Sequence, residues 1–151
     1  MVLVALFAFT ACSGRTAATT VEEYRTAITA DEFTSTATSL GFSIRDITAY
    51  MHGNTVVSLE ATNGYDDFQV GFTVFEEAGQ AYTAFNHNSS EFDRRHAGSG
   101  TAYSGSNWGS FEKTSEGTYC FMIHIDSTFL YVQANDEHTD AINDFIRNLG
   151  Y

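Results

Sequence analysis

Residues 55–75, TVVSLEATNGYDDFQVGFTVF, are the stretch that decides the fold. Asn63-Gly64 in its middle is a strong signal for a tight hairpin turn, because Asn and Gly readily adopt the positive φ angles that such turns require. Apolar side chains alternate with other residues on each side of this turn: Val57, Leu59 and Ala61 before it, and Phe68, Val70, Phe72 and Val74 after it. Strict alternation places them on one face of a strand. The stretch therefore predicts two antiparallel strands, 55–62 and 67–75.

Helices are predicted on both sides of this hairpin. Thr29-Ala30-Asp31-Glu32 has the form of a capping box, so a first helix begins near Thr29 and ends at Gly41. A second helix is predicted over 76–94, with acidic residues at its positive N-terminal end. A third helix is predicted to begin near Asp136.

Alternation and turn residues predict four further strands, at 44–51, 108–113, 118–126 and 128–135. The Gly- and Ser-rich segment 97–107 is predicted to be a loop. The resulting order is α-β-β-β-α-β-β-β-α, which contains two αβββ units, 29–75 and 77–135. Because hairpin turns join most of the strands, we expect an α+β fold with a largely antiparallel sheet and the helices packed on one face.

The charge of the chain limits its partners. Nineteen acidic residues stand against seven basic ones among 151, a net charge of −12. Such a surface repels phosphate, so nucleic acid is excluded as a partner and an anionic lipid surface is disfavoured. Thirteen Phe and eight Tyr indicate a packed domain instead of a disordered tail.

The first twelve residues have the pattern of a targeting signal. Val2–Phe9 is an uncharged apolar stretch, and the small residue Ala11 precedes Cys12. This arrangement resembles the lipobox of bacterial prolipoproteins. The resemblance implies that residues 1–11 are a signal peptide, which is removed, and that Cys12 carries lipid. No Lys or Arg precedes Arg15, so the basic start of such a leader would be truncated here.

Lipid on Cys12 would attach the protein to the extracytoplasmic face of the cell membrane. Residues 13–20 are small and polar, which is typical of a tether. We therefore expect a signal peptide over 1–11, a lipidated cysteine and tether over 12–28, and one globular domain over 29–151. In its lipobox, tether and acidic body the chain resembles small lipoproteins of Gram-positive bacteria.

The predicted strand 118–126 places Cys120, Met122, His124 and Asp126 on one face. Sulfur, imidazole and carboxylate groups in one row would suit a soft metal such as copper. Same-face neighbours lie about 6.6 Å apart, so His124 and Asp126 are the candidate metal pair. The alternative, which we favour, is that this face packs under a helix, with Cys120 and Met122 in the core and His124 at its margin.

Aromatic residues around the 97–107 loop are the candidate ligand-binding residues. Tyr103, Trp108 and Phe111 would form an exposed platform of the kind that stacks on sugar rings or anchors a protein partner. Burial in the core is the competing explanation for most aromatic residues.

No catalytic residues and no cofactor are predicted. The sequence contains no G-x-S-x-G elbow, no HExxH, no CxxC and no phosphate-binding glycine motif followed by Lys. The sequence thus favours a membrane-anchored, non-catalytic binding module for a glycan or small ligand. The alternative is an assembly component of the cell envelope that binds a protein through open sheet edges. A metal protein or enzyme built around His124 is the third hypothesis, and the oligomeric state stays open.

Overall fold

The computed structural model describes residues 19–20, 24–51, 53–64 and 66–151. The predicted signal peptide, Cys12 and most of the predicted tether lie outside these residues. The described helices are α1 (Ala30–Ser39), α2 (Ala78–Arg95) and α3 (Thr139–Asn148). The described strands are β1 (Thr19–Thr20), β2 (Ser43–Asp46), β3 (Thr55–Asn63), β4 (Asp66–Phe75), β5 (Thr101–Ser104), β6 (Trp108–Ser115), β7 (Thr118–Ile125) and β8 (Thr128–Asn135).

The strands form one sheet in the order β1-β5-β6-β7-β8-β4-β3-β2. Neighbouring strands are antiparallel except for the short parallel pair β1–β5. The predicted α+β class and element order are confirmed, and the structure adds β1 and β5. β5 lies in the segment predicted to be a loop, so the second αβββ unit has four strands instead of three.

The hairpin predicted from residues 55–75 is confirmed as β3 and β4. The two strands pair in register from Thr55–Phe75 to Asn63–Asp66, with irregularities near each end. Val70 and Phe72 are fully buried, as their place in the alternating pattern requires. Phe33 of α1 stacks on Phe72 with 4.8 Å between the ring centroids, which joins this hairpin to the helix before it.

Helices cover both faces of the sheet. Phe33 of α1 and Phe145 of α3 belong to a large core on one face. Ala81, Phe85 and Phe92 of α2 belong to a second core on the other face. The expectation that all helices pack on one face is therefore wrong.

The central strand β7 shows why both faces need a helix. Ile123 lies in the core of α1 and α3, whereas Cys120 and Met122 lie in the core of α2. Successive residues of a strand point to opposite faces, so a strand that is apolar throughout must be covered on both sides. The interpretation that Cys120 and Met122 pack under a helix is confirmed.

The ends of α1 follow the sequence signals. Thr29 and Glu32 form a capping box, with Glu32 Oε2 accepting a hydrogen bond from Thr29 N at 2.7 Å. Gly41 has a φ of +87°, a value that glycine adopts without strain. Phe42 N then donates to Ala37 O at 2.9 Å and closes the helix end.

The strand predicted over 44–51 is shorter than expected. β2 ends at Asp46, whose carboxylate accepts a hydrogen bond from Thr48 N at 2.8 Å. This local bond turns the chain into a short 3-10 helix, Thr48–Tyr50. The prediction was wrong there because a side chain competed with the sheet for the backbone N–H group.

The packed body begins before the predicted boundary at Thr29. Arg25 N donates to Asn107 Oδ1 at 3.1 Å, and Asn107 Nδ2 donates back to Arg25 O at 2.8 Å. Ala27 and Ile28 pack against the core of α1 and α3. The last residues assigned to the tether therefore belong to the domain. Within the described residues, no helix combines the length and hydropathy needed to cross a membrane.

Candidate functional site

A cleft of about 660 Å³ lies between the first half of α2 and the β5–β6 hairpin. Its lining combines residues of α2, the hairpin and its loop, and the end of β7: Ala78, Gly79, Tyr82, Phe85, Asn86, Ala102, Tyr103, Ser104, Gly105, Ser106, Asn107, Trp108, Gly109, Ser110, His124 and Asp126. A concave site with aromatic walls and a few polar groups is typical of small-molecule binding.

The floor of the cleft is a row of residues across three strands. Ser104 of β5 pairs with Gly109 of β6, and Gly109 pairs with His124 of β7, so all three lie on the α2 face. Gly109 has no side chain, and the His124 imidazole and the Phe85 ring occupy the space above it. A Cβ atom at position 109 would lie 3.0 Å from His124 Nε2 and 3.4 Å from Phe85 Cε1. Glycine is therefore needed for the imidazole to lie where it does.

Two aromatic rings of α2 form the wall beside His124. The Tyr82 ring meets the imidazole nearly edge-on at 5.5 Å between centroids, and the Phe85 ring lies 5.0 Å away. Phe85 is buried, whereas Tyr82 keeps 55% of its surface exposed. The Tyr82 ring is thus available to a ligand while its position is set by His124.

His124 is a buried polar side chain without a full set of partners. It is 8% exposed, and its Nδ1 atom has no hydrogen-bond partner among the described residues. Burial lowers the pKa of His124, although the nearby charge of Asp126 acts in the opposite direction. The imidazole is therefore neutral at neutral pH.

The C-terminal end of α2 is held against the sheet, so the cleft lies at the N-terminal end of the helix. Lys113 Nζ donates to Asp93 Oδ1 at 2.8 Å and to His96 O at 2.7 Å. The Phe92 ring packs edge-on against Phe111 at 6.3 Å. These contacts hold the last turns of α2 on β6, so the open space lies near its first turns.

The three aromatic residues predicted to bind a ligand do not form one platform. Trp108 is 4% exposed, lies in the core of α1 and α3, and is covered by the Arg25 guanidinium at 3.9 Å. Phe111 is buried on the opposite face beneath α2. Tyr103 is 45% exposed and, like Trp108, borders the cleft. The predicted platform is wrong because these strand positions alternate between faces, but the predicted region is next to the cleft.

The predicted metal pair also reaches the cleft. His124 and Asp126 both line it, but in the described part of the chain no group of three or more His, Cys, Asp or Glu residues could hold a metal ion. Cys120 is fully buried beneath α2, and burial raises the pKa of its thiol to about 12. The Cys120 thiol is therefore uncharged and is a core group instead of a ligand.

The residues that shape the cleft were not identified as a site from the sequence. Tyr82 lies within the second predicted helix, and Ser104 and Gly109 fall in or beside the predicted loop. One usable signal was the glycine that follows Trp108 at the start of a strand. A glycine inside a strand often marks a close approach of another group.

The comparisons with known proteins support the fold. No protein-family model matches the chain. No curated protein matches it. Among solved structures, the chain is similar to the crystal structure of a GTP binding regulator from Thermotoga maritima, with a TM-score of 0.52 and 12% sequence identity. The match covers 81% of this chain and 84% of the other. At this identity, the similarity concerns the fold alone.

Proposed function

We propose that this protein is a non-catalytic binding module that takes a small organic ligand in the α2 cleft. The observation that carries the proposal is the exposed Tyr82 ring beside the buried His124, whose imidazole lies over Gly109 at the floor of the cleft. Aromatic walls supply apolar contact area, and Asn86 and Ser104 add polar groups that can orient a ligand.

A binding role suits the chemistry of the cleft better than catalysis does. In the arrangement that activates a nucleophile, a base lies within hydrogen-bond reach of the nucleophile and is oriented by a third group. In the residues that the structure describes, His124 Nδ1 has no hydrogen-bond partner, and the ring is held by Tyr82 and Phe85. These contacts support a binding surface.

The name of the structural neighbour suggests GTP as one ligand to test. Among the described residues that line the cleft, the charged side chain is Asp126, which repels a triphosphate. The cleft is therefore better suited to a ligand without phosphate. An envelope protein partner stays the alternative, favoured by three exposed apolar side chains on neighbouring segments, Tyr50, Met51 and Val56.

Loss of the Tyr82 ring is expected to weaken ligand binding. The probe is phenylnaphthylamine, an uncharged aromatic dye whose fluorescence rises in apolar surroundings. We expect Tyr82→Ala to weaken its binding roughly tenfold, which corresponds to about 1.4 kcal/mol. A fluorescence titration of the purified protein measures the Kd.

The matched control is Tyr50→Ala, which removes another exposed tyrosine, 81% exposed and outside the cleft lining. This variant is expected to bind the dye as the natural protein does. Equal affinities for all three proteins would contradict the assignment of the cleft.

We also propose that lipid on Cys12 holds the module at the extracytoplasmic face of the cell membrane. The support is the apolar stretch and small residue before Cys12 in the sequence. The chain is expressed behind a complete signal peptide in a bacterium that is fed an alkyne-bearing fatty acid. We expect label and membrane association in the natural chain and in Cys120→Ser, and neither in Cys12→Ser. Equal labelling of Cys12→Ser would contradict lipidation at this residue.

A further inference from the structure

We infer that the ligand of the α2 cleft is an uncharged amphipathic ring compound, which accepts a hydrogen bond from His124, and that the cleft discriminates against anions. This inference rests on the proposed binding function and names the class of ligand. It follows from the proton position on His124 and from the charges around the cleft.

The buried Nδ1 atom decides where the imidazole proton lies. Nδ1 of His124 is buried and has no hydrogen-bond partner in the described residues. A buried N–H group without a partner is rarer and more costly than a buried acceptor without one. The neutral ring therefore carries its proton on Nε2.

The Nε2 atom of His124 lies directly over Gly109, at the floor of the cleft. The Nε2 atom would be 3.0 Å from a Cβ at position 109, and both residues line the cleft. A ligand that enters the cleft beside the imidazole can thus offer a hydroxyl, ether or carbonyl oxygen to this donor. Tyr82 and Phe85 contact the same imidazole from α2 and provide apolar surface for the flat side of a ring.

The charged side chain that lines the cleft acts against an anion, whereas the guanidinium of Arg25 outside the lining lies over the Trp108 ring. The carboxylate of Asp126 lines the cleft, and the whole chain has a net charge of −12. The N-terminus of α2, which also borders the cleft, is closed by a capping box between Glu77 and Gln80. The positive end of the helix is therefore already matched by an acidic residue.

The hydroxyl and amide groups on the rim complete the match to an uncharged ligand. Ser104, Ser106 and Asn86 line the cleft with groups that both donate and accept hydrogen bonds. Such groups bind hydroxyl and amide substituents without requiring a charge. A sugar-like or similar ring, apolar on one side and polar at its edge, satisfies both sets of groups.

Two matched dyes test the charge preference. Phenylnaphthylamine is uncharged, and anilinonaphthalene sulfonate has the same ring system with a sulfonate added. In a fluorescence titration at neutral pH and low salt, we expect the uncharged dye to bind roughly tenfold more tightly. Ser106→Lys, which adds a cation at an exposed rim position, is expected to tighten sulfonate binding at least about threefold. Ser106→Gln, which adds length without charge, is expected to leave it unchanged.

The outcomes distinguish a failure of the proposed ligand class from a failure of the proposed binding function. Equal or tighter binding of the sulfonate dye to the natural protein overturns the charge preference while leaving a binding cleft. Equal effects of Ser106→Lys and Ser106→Gln overturn the electrostatic explanation. Failure of both dyes to bind overturns the proposed function itself, and the ligand class with it.

Discussion

Replacement of Phe33 with alanine is expected to lower the free energy of unfolding by about 3–5 kcal/mol. Phe33 is fully buried between the sheet and α3. Its ring stacks on Phe72 at 4.8 Å and meets the Phe145 ring edge-on at 6.1 Å. Truncation therefore removes both aromatic contacts and leaves a cavity where α1, α3 and the hairpin meet.

This loss is large because small domains are only marginally stable, with total stabilities of about 5–15 kcal/mol. Urea unfolding followed by far-UV circular dichroism measures the change. The control is Phe121→Ala, which truncates a partly buried phenylalanine on the same face of the sheet and is expected to lose about 1–2 kcal/mol. A loss below about 1 kcal/mol for Phe33→Ala would contradict the described core.

Much of the fold could be predicted from local sequence signals. The alternation from Thr55 to Phe75, with Asn63-Gly64 at its centre, predicted the β3–β4 hairpin. The two-residue period of the apolar side chains and the turn signal both indicated the same pair of strands. The capping box at Thr29 predicted the start of α1 for the same reason. These features depend on residues that are close together in the chain.

The placement of the helices could not be predicted in this way. In a strand such as β7, the side chains on both faces are mostly apolar, which indicates that both faces are covered. The order of the elements does not say which helix covers which face. β5 was missed because its four residues, Thr101–Ser104, have a polar and glycine-rich setting. Pairing with β6 and β1 forms this strand, and these are tertiary contacts.

The site could be predicted only in part. His124 and Asp126 were chosen for their chemistry, and both line the cleft. Tyr82 and Ser104 were missed because Tyr82 meets His124 only through the packing of α2 on the sheet, and Ser104 joins the cleft only through the pairing of β5 with β6. Trp108 was chosen for its size, but size alone does not distinguish a core ring from an exposed one.

Filling the cleft from its floor is expected to produce the largest functional effect. Ser104 is partly buried and pairs directly with Gly109 on the α2 face. Side chains directly opposite each other in an antiparallel pair have Cβ atoms about 5 Å apart. Because Ser104 lines the cleft, an indole at position 104 would extend into the volume that a ligand ring is expected to occupy.

We expect Ser104→Trp to weaken phenylnaphthylamine binding by more than about tenfold, because the new ring takes up cleft volume that the probe needs. The fold should persist, since the added ring enters open space instead of a packed core. Far-UV circular dichroism and the urea midpoint check this.

The matched control changes the same strand on its other face. Thr101 is exposed, and because it is three positions from Ser104 its side chain lies on the opposite side of β5. Thr101→Trp thus adds the same indole group to the same strand without entering the cleft.

The most direct test of the α2 cleft as the binding site is the ratio of the phenylnaphthylamine Kd values of Ser104→Trp and Thr101→Trp. The account predicts a ratio above about ten, with Thr101→Trp close to the natural protein. Equal Kd values in two folded variants, or weaker binding by Thr101→Trp, would contradict it.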